Sequence, residues 1–191
     1  MESLAGIPPS DWVQRWSHLV RPGSSVLDVA CGHGRHMKWF AALGCIPTGV
    51  DRSEEAVAAA GQYGTTLQAD IENAPWPLTT RGHVQTFDVV VVANYLWRPL
   101  LPTLLQSLAP GGLLLYETFA SGNETVGRPS RPDFLLRPGE LLQLCQGLTI
   151  VAFEDGFLDH PARFVQRIAA VKPLAGPDTL CPPTRYPLSL K

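Results

Sequence analysis

The feature of this sequence that most constrains its fold is the stretch SVLDVACGHGRH at residues 25–36. The apolar residues of segment 26–29 predict a strand that is covered on both faces. Gly32 and Gly34 then allow a sharp turn in which the backbone can approach a ligand, and a helix is predicted directly after it at 35–43. A strand, a glycine turn and a helix start together form a cradle for a nucleotide-like molecule with an anionic end.

Acidic residues punctuate this strand and the two that are predicted to follow it. Asp28 interrupts the apolar run, and a carboxylate beside a core costs free energy unless a charged or hydrogen-bonding group meets it. Apolar segments at 45–50 and 65–69 predict two more strands, which are followed by Asp51 and Asp70. Asp51 lies 17 residues after the second glycine of the turn, where a doubly wound sheet places an acid that binds ribose hydroxyls. We therefore expect three acids along the ligand-binding edge of one α/β sheet.

Five segments of the chain resemble, in order, the successive motifs of class I methyltransferases that use S-adenosylmethionine: VLDVACGHGR, GVDRS, LQADIENAPWP, FDVVVVANYL and LAPGGLLLYE. The turn at 110–112, Pro-Gly-Gly, is typical of that family and is not expected of nicotinamide enzymes. The segment ETFASGNETVGRPSRPDFLLRPGEL is similar to small bacterial methyltransferases of the tellurite-resistance type. The resemblance covers residues 10–171 and implies a Rossmann-like, doubly wound, seven-stranded sheet that is mostly parallel with an antiparallel C-terminal strand.

The resemblance also implies S-adenosyl-L-methionine as the cofactor and assigns its contacts. The expected cofactor-binding residues are Asp28, Ala30, Cys31, Gly32, Gly34, Asp51, Arg52, Asp70, Ile71, Asn94 and Tyr95. Within this set, Asp70 and Ile71 are expected to meet the adenine, which Trp76 covers unless it only anchors its loop. His33, Arg35 and His36 flank the helix start, where they either meet the methionyl carboxylate or form a solvated first turn.

The expected catalytic residues are, in order, Glu117, Tyr95 and His36. Glu117 ends the strand predicted at 113–117, where it acts either as a general base or as a hydrogen-bonding anchor for the loop that follows. That loop, predicted at 118–138, is long for a compact domain and is expected to be an ordered substrate lid. The expected substrate contacts are Arg98, Asn123, Arg128 and Arg131, although a surface ion pair is an equal alternative for Arg98.

The other predicted elements complete one domain over residues 1–191, with its core at 10–171 and a proline-rich C-terminal tail at 172–191. Ser10 is the predicted N-cap of a helix that ends at residue 20. Further helices are predicted at 54–61, 100–108 and 138–145, strands at 87–92, 148–154 and 163–171, and a loop at 73–81.

Composition narrows the classes of partner. The chain has 191 residues, of which 45% are hydrophobic and 17% charged, and its net charge of -2 offers no basic surface for nucleic acid. The four cysteines (Cys31, Cys45, Cys145 and Cys181) form no CxxC pair, so we expect free thiols, a reducing compartment and no metal. Residues 1–10 lack the pattern of a signal peptide, and no apolar run reaches membrane-spanning length. We expect a cytoplasmic bacterial monomer or homodimer.

The sequence therefore predicts a methyltransferase of a small molecule whose identity stays open, with thiols and metalloids as candidates because a soft nucleophile needs no strong base. One alternative is a non-catalytic S-adenosylmethionine-binding or assembly protein of the same fold. The other is an NAD-dependent Rossmann oxidoreductase. That alternative needs a third glycine at position 37, where Met37 stands, and it leaves Asp28 unexplained.

Overall fold

The computed structural model describes residues 7–174 and 184–188. The strands are, in chain order, β1 (Ser25–Val29), β2 (Ile46–Asp51), β3 (Thr65–Gln68), β4 (Thr79–Thr80), β5 (His83–Val84), β6 (Phe87–Ala93), β7 (Leu108–Phe119), β8 (Thr149–Asp159) and β9 (Ala162–Val171). The helices are α1 (Asp11–Trp16), α2 (Arg35–Ala42), α3 (Glu54–Ala60), α4 (Leu101–Gln106) and α5 (Glu140–Leu144). None of the helices in the part of the chain described is long and apolar enough to cross a membrane.

Seven of the strands form one sheet in the order β3-β2-β1-β6-β7-β9-β8. All neighbours pair in parallel except β9, which is antiparallel to both β7 and β8. This confirms the predicted fold. The chain moves outward in one direction from β1 to β3 and in the other direction from β6 onward, so the topological switch point, where open α/β sheets bind their ligands, lies between β1 and β6.

Both faces of the sheet are covered, which explains the apolar run of β6 after Asp88, where Val90, Val91 and Val92 are fully buried. One face packs Val26, Val89 and Leu115 against α1 through Trp12 and Trp16. The opposite face packs Leu27, Val90 and Tyr116 against α4 and α5. The apolar composition of these strands therefore reflects burial on both faces of the sheet.

Some boundaries differ from the predicted ones. The first helix is shorter than predicted because α1 gives way to a 3₁₀ turn, Ser17–Leu19, although Ser10 caps it as expected by accepting the backbone N–H of Trp12 at 3.1 Å. The predicted turn at 110–112 lies inside β7, since Leu108 already pairs with Phe87 before an irregularity in the ladder. The predicted loop at 73–81 overlaps the two-residue strand β4, which pairs only with β5.

The C-terminal tail is described in part. Its residues 184–188 lie near α1: Tyr186 packs against the Trp12 cluster and the Pro187 carbonyl is 2.9 Å from Nε2 of His18. Residues 175–183 and 189–191, which include Cys181, lie outside the described residues. Beyond residue 174, the structure therefore describes the predicted tail only at residues 184–188, next to the first helix.

Candidate functional site

A cleft of about 580 Å³ opens at the carboxyl ends of β1 and β6, at the switch point of the sheet. Its walls are the glycine turn after β1, the first turns of α2, the end of β6 and residues 7–9, which precede α1. Ala30 and Gly32 line it on one side and Asn94 on another. Of the residues expected to bind the cofactor, Ala30, Cys31, Gly32 and Asn94 line this cleft.

Two non-glycine residues at this cleft have left-handed backbone conformations. Ala30 has a φ of 53° and Asn94 a φ of 56°, and they follow the adjacent strands β1 and β6. Such conformations are unfavourable for residues with a Cβ atom, so they persist only where the surrounding structure imposes them. They are frequent at ligand-binding sites. Their position at the two sides of one crevice supports the assignment of this edge as the functional one.

The two glycines of the turn serve different purposes. Gly32 has a φ of +52° and open space around the position of a Cβ atom, so its backbone is accessible from the cleft. Gly34 has a φ of +79°, and a Cβ atom there would lie 2.8 Å from that of Ala60 in α3. Gly32 therefore allows close approach of a ligand, whereas Gly34 allows α2 and α3 to pack.

Asp51 supports the glycine turn from the end of β2. Its Oδ2 accepts the backbone N–H of Gly32 at 2.8 Å, and its Oδ1 accepts that of Ser53 at 2.9 Å. A carboxylate has about four acceptor positions, so both oxygens can still accept further hydrogen bonds. The acid is thus held beside the turn in a position from which it can bind the hydroxyls of a ribose.

Asp28 is almost fully buried at the end of β1, with 1% of its surface exposed. Its Oδ1 is 3.7 Å from Nδ1 of His36. Its Oδ2 is buried and has no hydrogen-bond partner among residues 7–174 and 184–188. A buried carboxylate oxygen without a partner is costly, so this atom fits the ammonium group of a ligand in the cleft.

His36 and Ser10 connect Asp28 to Glu117, which lies near the end of β7. The Ser10 backbone N–H donates to Nε2 of His36 at 3.3 Å, so the proton of a neutral imidazole lies on Nδ1, facing Asp28. The Ser10 hydroxyl donates to Oε1 of Glu117 at 2.9 Å. A buried chain of polar contacts thus runs from Asp28 through His36 and Ser10 to Glu117.

Glu117 is 2% exposed and is surrounded by donors. Besides the Ser10 hydroxyl, Nη1 of Arg167 donates to its Oε2 at 3.3 Å, and Nη2 of Arg163 is 3.7 Å from its Oε1. Arg167 also donates from Nε to Glu154 at 2.7 Å. These contacts join Glu117 to Ser10 and to β9 rather than to the loop that follows it.

The expected adenine-binding residues lie at the end of β3 and in the loop that follows. Asp70 is exposed, and hydrogen bonds from the Asn73 side chain and from the backbone N–H of Glu72 lower the pKa of its carboxyl group.

Burial and the nearby carboxylate of Glu72 raise the pKa of the Tyr95 hydroxyl, which has no partner in the described chain. Tyr95 is therefore a protonated donor at neutral pH rather than a base.

The four expected substrate contacts do not converge on the cleft. The Arg98 guanidinium donates to both carboxylate oxygens of Glu140, at 2.7 and 2.9 Å, and to the carbonyls of Asp133 and Leu135. The prediction of Arg98 as a free anion ligand is thus contradicted, because this side chain clamps the loop. Its pairing with a residue 42 positions away is not visible in the sequence.

The other three expected substrate contacts lie on the loop predicted at 118–138. Asn123 is buried, donates to the Pro129 carbonyl at 2.9 Å and accepts the Phe164 N–H at 3.2 Å. Arg128 and Arg131 are exposed, and Arg131 pairs with Asp133 at 3.1 Å. In this structure Asn123 holds the loop, while the two arginines face solvent.

The contacts that Ser10, Arg163 and Arg167 make with Glu117 were not expected from the sequence, which predicted Ser10 only as a helix cap. For the two arginines, the alternation of side chains along β9 could have indicated a buried position. Side chains alternate along a strand, so Arg163 and Arg167 share the face of β9 that carries Ala169 and Val171, which is a core face. Arginines in register with buried apolar residues indicate carboxylate partners or a ligand.

The described residues contain no group of three or more histidine, cysteine or acidic side chains placed to hold a metal ion. Cys31 lies in the glycine turn, but burial and the carboxylates of Asp28 and Asp51 raise the pKa of its thiol. Burial likewise raises the pKa of Cys145 to about 12. Neither thiol is therefore a thiolate at neutral pH.

Comparison with known proteins agrees with this geometry. Residues 26–112 match the family model described as a methyltransferase domain, which confirms the resemblance to class I methyltransferases. A ubiquinone biosynthesis O-methyltransferase from Azoarcus sp. (strain BH72) is 31% identical over 115 residues, which are 56% of this chain and 48% of that protein. The chain thus spans about half the length of the curated relatives it matches.

Solved structures share the fold at lower identity. TehB from Haemophilus influenzae superimposes with a TM-score of 0.68 at 20% identity, over 85% of this chain and 61% of that one. A SAM-dependent methyltransferase from Methanosarcina mazei superimposes with a TM-score of 0.65 at 15% identity, over 88% and 100% of the two chains. At these identities the neighbours show that the chain shares their fold.

Proposed function

We propose that this chain, which carries the methyltransferase domain at residues 26–112, transfers a methyl group from S-adenosylmethionine to a small molecule. The observation that carries the proposal is the arrangement of Asp28 and Asp51 on either side of the glycine turn. One acid has a buried oxygen without a partner, and the other is hydrogen-bonded to the backbone of Gly32. A ligand with an ammonium group at one end and a ribose further along complements both.

The residues present fit that cofactor from end to end. Asp28 would accept from its ammonium group, and Arg35, which lines the cleft at the start of α2, would bind its methionyl carboxylate. Gly32 allows the close approach, Asp51 would bind the ribose hydroxyls, and Asp70 would meet the adenine edge. When bound, the cofactor supplies a methyl group on a positively charged sulfur that a nucleophile can attack directly.

The residues of the chain contribute to the transfer mainly by positioning the cofactor and the methyl acceptor. Glu117 is surrounded by Ser10, Arg163 and Arg167, Nε2 of His36 accepts from Ser10, and Tyr95 keeps its proton. None of the three expected catalytic residues thus presents a free basic atom to the cleft. Orientation alone can remove a large part of a bimolecular barrier, so transfer to an acceptor that is already nucleophilic needs no base. This favours a thiol or another soft acceptor.

Transfer to a hydroxyl oxygen is a second candidate, since the curated relatives are named O-methyltransferases. A hydroxyl needs a base, and Glu117 would have to lose a donor to act as one. Acceptors that differ only in the attacking atom, such as a phenol and the matching thiophenol, separate the two cases when they are incubated with radiolabelled S-adenosylmethionine. Faster transfer to the phenol would favour O-methylation.

The first test is cofactor binding by isothermal titration calorimetry with S-adenosylmethionine and with NAD. Asp51→Asn removes one carboxylate that accepts from the backbone beside the cleft. Asp88→Asn removes another, which accepts the Ser25 N–H at 2.8 Å at the opposite edge of the sheet. We expect D51N to weaken binding by ~10-fold or more, from the loss of a charged hydrogen bond, and D88N to leave it unchanged.

Two results would contradict the proposal at different levels. Binding of NAD but not of S-adenosylmethionine would favour the oxidoreductase alternative. Tight binding of S-adenosylmethionine with no transfer to any thiol, phenol, amine, carboxylate or metalloid acceptor would favour a non-catalytic binding protein of the same fold.

A further inference from the structure

Charged side chains form a row on one face of the sheet at the edge of the cleft. Asp28 lies at the end of β1, Glu117 near the end of β7, and Arg167 is paired in register with Glu117 from β9. Because β9 is antiparallel, its first residues lie at the same edge as the carboxyl ends of the parallel strands. Arg163, four residues before Arg167, therefore extends the row beyond Glu117 toward the loop after β7.

The two arginines of β9 differ in how well they are hydrogen-bonded. Arg167 donates to Glu154 and to Glu117. Arg163 makes no side-chain hydrogen bond to any described residue: its Nε is buried without a partner, and Nη2 is 3.7 Å from Oε1 of Glu117, beyond hydrogen-bond range. Only 22% of its side chain is exposed, so solvent satisfies little of it. A mostly buried guanidinium with unpaired donors indicates a partner that is not among the described residues.

Carboxylates near Arg163 do not supply that partner. The nearest of them is Glu117, whose oxygens accept from Ser10 and Arg167 and whose Oε1 lies 3.7 Å from Nη2 of Arg163, beyond hydrogen-bond range. A second guanidinium lies nearby in Arg35, whose only side-chain hydrogen bond within the described chain is a long one, 3.4 Å, to the Pro8 carbonyl. Burial lowers the pKa of Arg35, the carboxylates of Asp28 and Glu117 raise it, and the positive charge of Arg163 lowers it. The Arg35 and Arg163 side chains therefore lie close enough together for their charges to interact.

We propose that Arg163 binds a carboxylate group of the methyl acceptor, so that the substrates are small carboxylic acids with the nucleophilic atom elsewhere in the molecule. The guanidinium edge formed by Nε and one Nη atom presents two parallel N–H groups, which match the two oxygens of a carboxylate. The unpartnered Nε belongs to that edge. This inference rests on the proposed methyl transfer and adds the class of acceptor.

The position of Arg163 separates this role from cofactor binding. Arg35 lines the cleft at the helix start, where the cofactor carboxylate is expected. Arg163 is the second residue of β9, which pairs with the end of β7, and the carbonyl of its neighbour Phe164 accepts the N–H of Ala120, the first residue after β7. Arg163 thus stands between the cleft and the loop expected to cover the acceptor.

The test is calorimetry on the protein saturated with S-adenosylhomocysteine, using pairs of carboxylic acids and their primary amides: acetate, benzoate, salicylate and thiosalicylate, each with its amide. Arg163→Gln removes the guanidinium, Arg163→Lys keeps the charge but not the fork, and Arg21→Gln removes an exposed arginine at the amino edge of the sheet. We expect at least one acid to bind the wild type more tightly than its amide. R163Q should weaken that acid by ~10- to 100-fold, R163K by less, and R21Q not at all.

A second readout does not depend on affinity. The Nε–H resonance of Arg163 in ¹⁵N-labelled protein, assigned by its loss in R163K, should shift and become protected from exchange when the acid binds. The proposal is overturned if no acid of the panel binds in a manner that depends on Arg163. It is also overturned if inorganic phosphate binds as tightly as the acids, or if R163Q weakens S-adenosylhomocysteine binding as much as Arg35→Gln does. Failure of the wild type to bind S-adenosylmethionine or its product would instead remove the proposed function.

Discussion

Replacing Ser10 by alanine should destabilise the protein more than the loss of a helix cap explains. Ser10 caps α1 by accepting the Trp12 N–H at 3.1 Å, and its hydroxyl also donates to buried Glu117 at 2.9 Å. Loss of a serine N-cap costs about 1 kcal/mol. Loss of a hydrogen bond to a charged group costs about 1.5–3 kcal/mol, and more where the carboxylate stays buried without its donor. S10A should therefore lower the free energy of unfolding by roughly 2.5–4 kcal/mol.

Ser53 provides a matched control in the same protein. It caps α3 by accepting the Ala56 N–H at 3.2 Å, and in the described chain its hydroxyl contacts no buried carboxylate. Ser53→Ala should therefore cost only the ~1 kcal/mol of a cap. The difference between the two variants, measured by urea unfolding, isolates the contact between Ser10 and Glu117.

The same substitution should affect the cleft, because residues 7–9 form one of its walls and Ser10 attaches them to the sheet. We expect S10A to weaken S-adenosylmethionine binding in calorimetry while S53A leaves it unchanged. The reasoning is refuted if S10A and S53A destabilise the protein equally, since the buried contact would then contribute nothing. It is also refuted if S10A destabilises the protein as expected but binds the cofactor with wild-type affinity.

Two further predictions concern the glycine turn and the loop after β7. Gly34→Ala should lower the free energy of unfolding by roughly 2–4 kcal/mol, because the φ of Gly34 is left-handed and an added Cβ atom would clash with α3. Gly23→Ala is the control, since Gly23 has a φ of +85° but open space around it, and it should cost only ~1 kcal/mol. Equal costs of the two variants in urea unfolding would contradict the packing role of Gly34. A double-mutant cycle of Arg98→Met and Glu140→Gln should give a coupling of about 1 kcal/mol at pH 7. Although burial raises the pKa of Glu140, the Arg98 contact and the Arg137 N–H lower it overall, so the coupling should be lost as the pH falls through this lowered pKa, and a pH-independent value would contradict the assignment.

The central part of the fold could be predicted because local signals there agree with tertiary demands. The apolar runs of β1 and β6 are long enough to be buried on both faces, and Gly32 and Gly34 occupy conformations with positive φ that other residues rarely adopt. Asp51 was placed by spacing alone, and the structure puts it 2.8 Å from the Gly32 nitrogen. In this region the sequence separation of the partners is short and regular, so a pattern along the chain suffices.

The outer parts of the site could not be predicted in the same way, because their partners are distant in sequence. Arg98 meets Glu140 across 42 residues, and Ser10 meets Glu117 across 107. No periodicity relates such pairs, so a polar residue at the right edge of the sheet can be a ligand contact or a structural ion pair. For Arg98 the partner is internal, whereas for Arg163 no internal partner is present in the described residues.

This contrast explains why the number of unsatisfied donors says more about the site than the number of charges. Arg98, Arg163 and Arg167 are all at least two-thirds buried and lie toward the same edge of the sheet, yet two of them have carboxylates whose oxygens match their donors. Burial of a charge is tolerated when its donors are matched and is costly when they are not. Arg163 is mostly buried beside Glu117, and its Nε has no acceptor among the described residues. Under the proposed function Arg35 would bind the carboxylate of the cofactor, so a carboxylate of the acceptor is the proposed partner of Arg163.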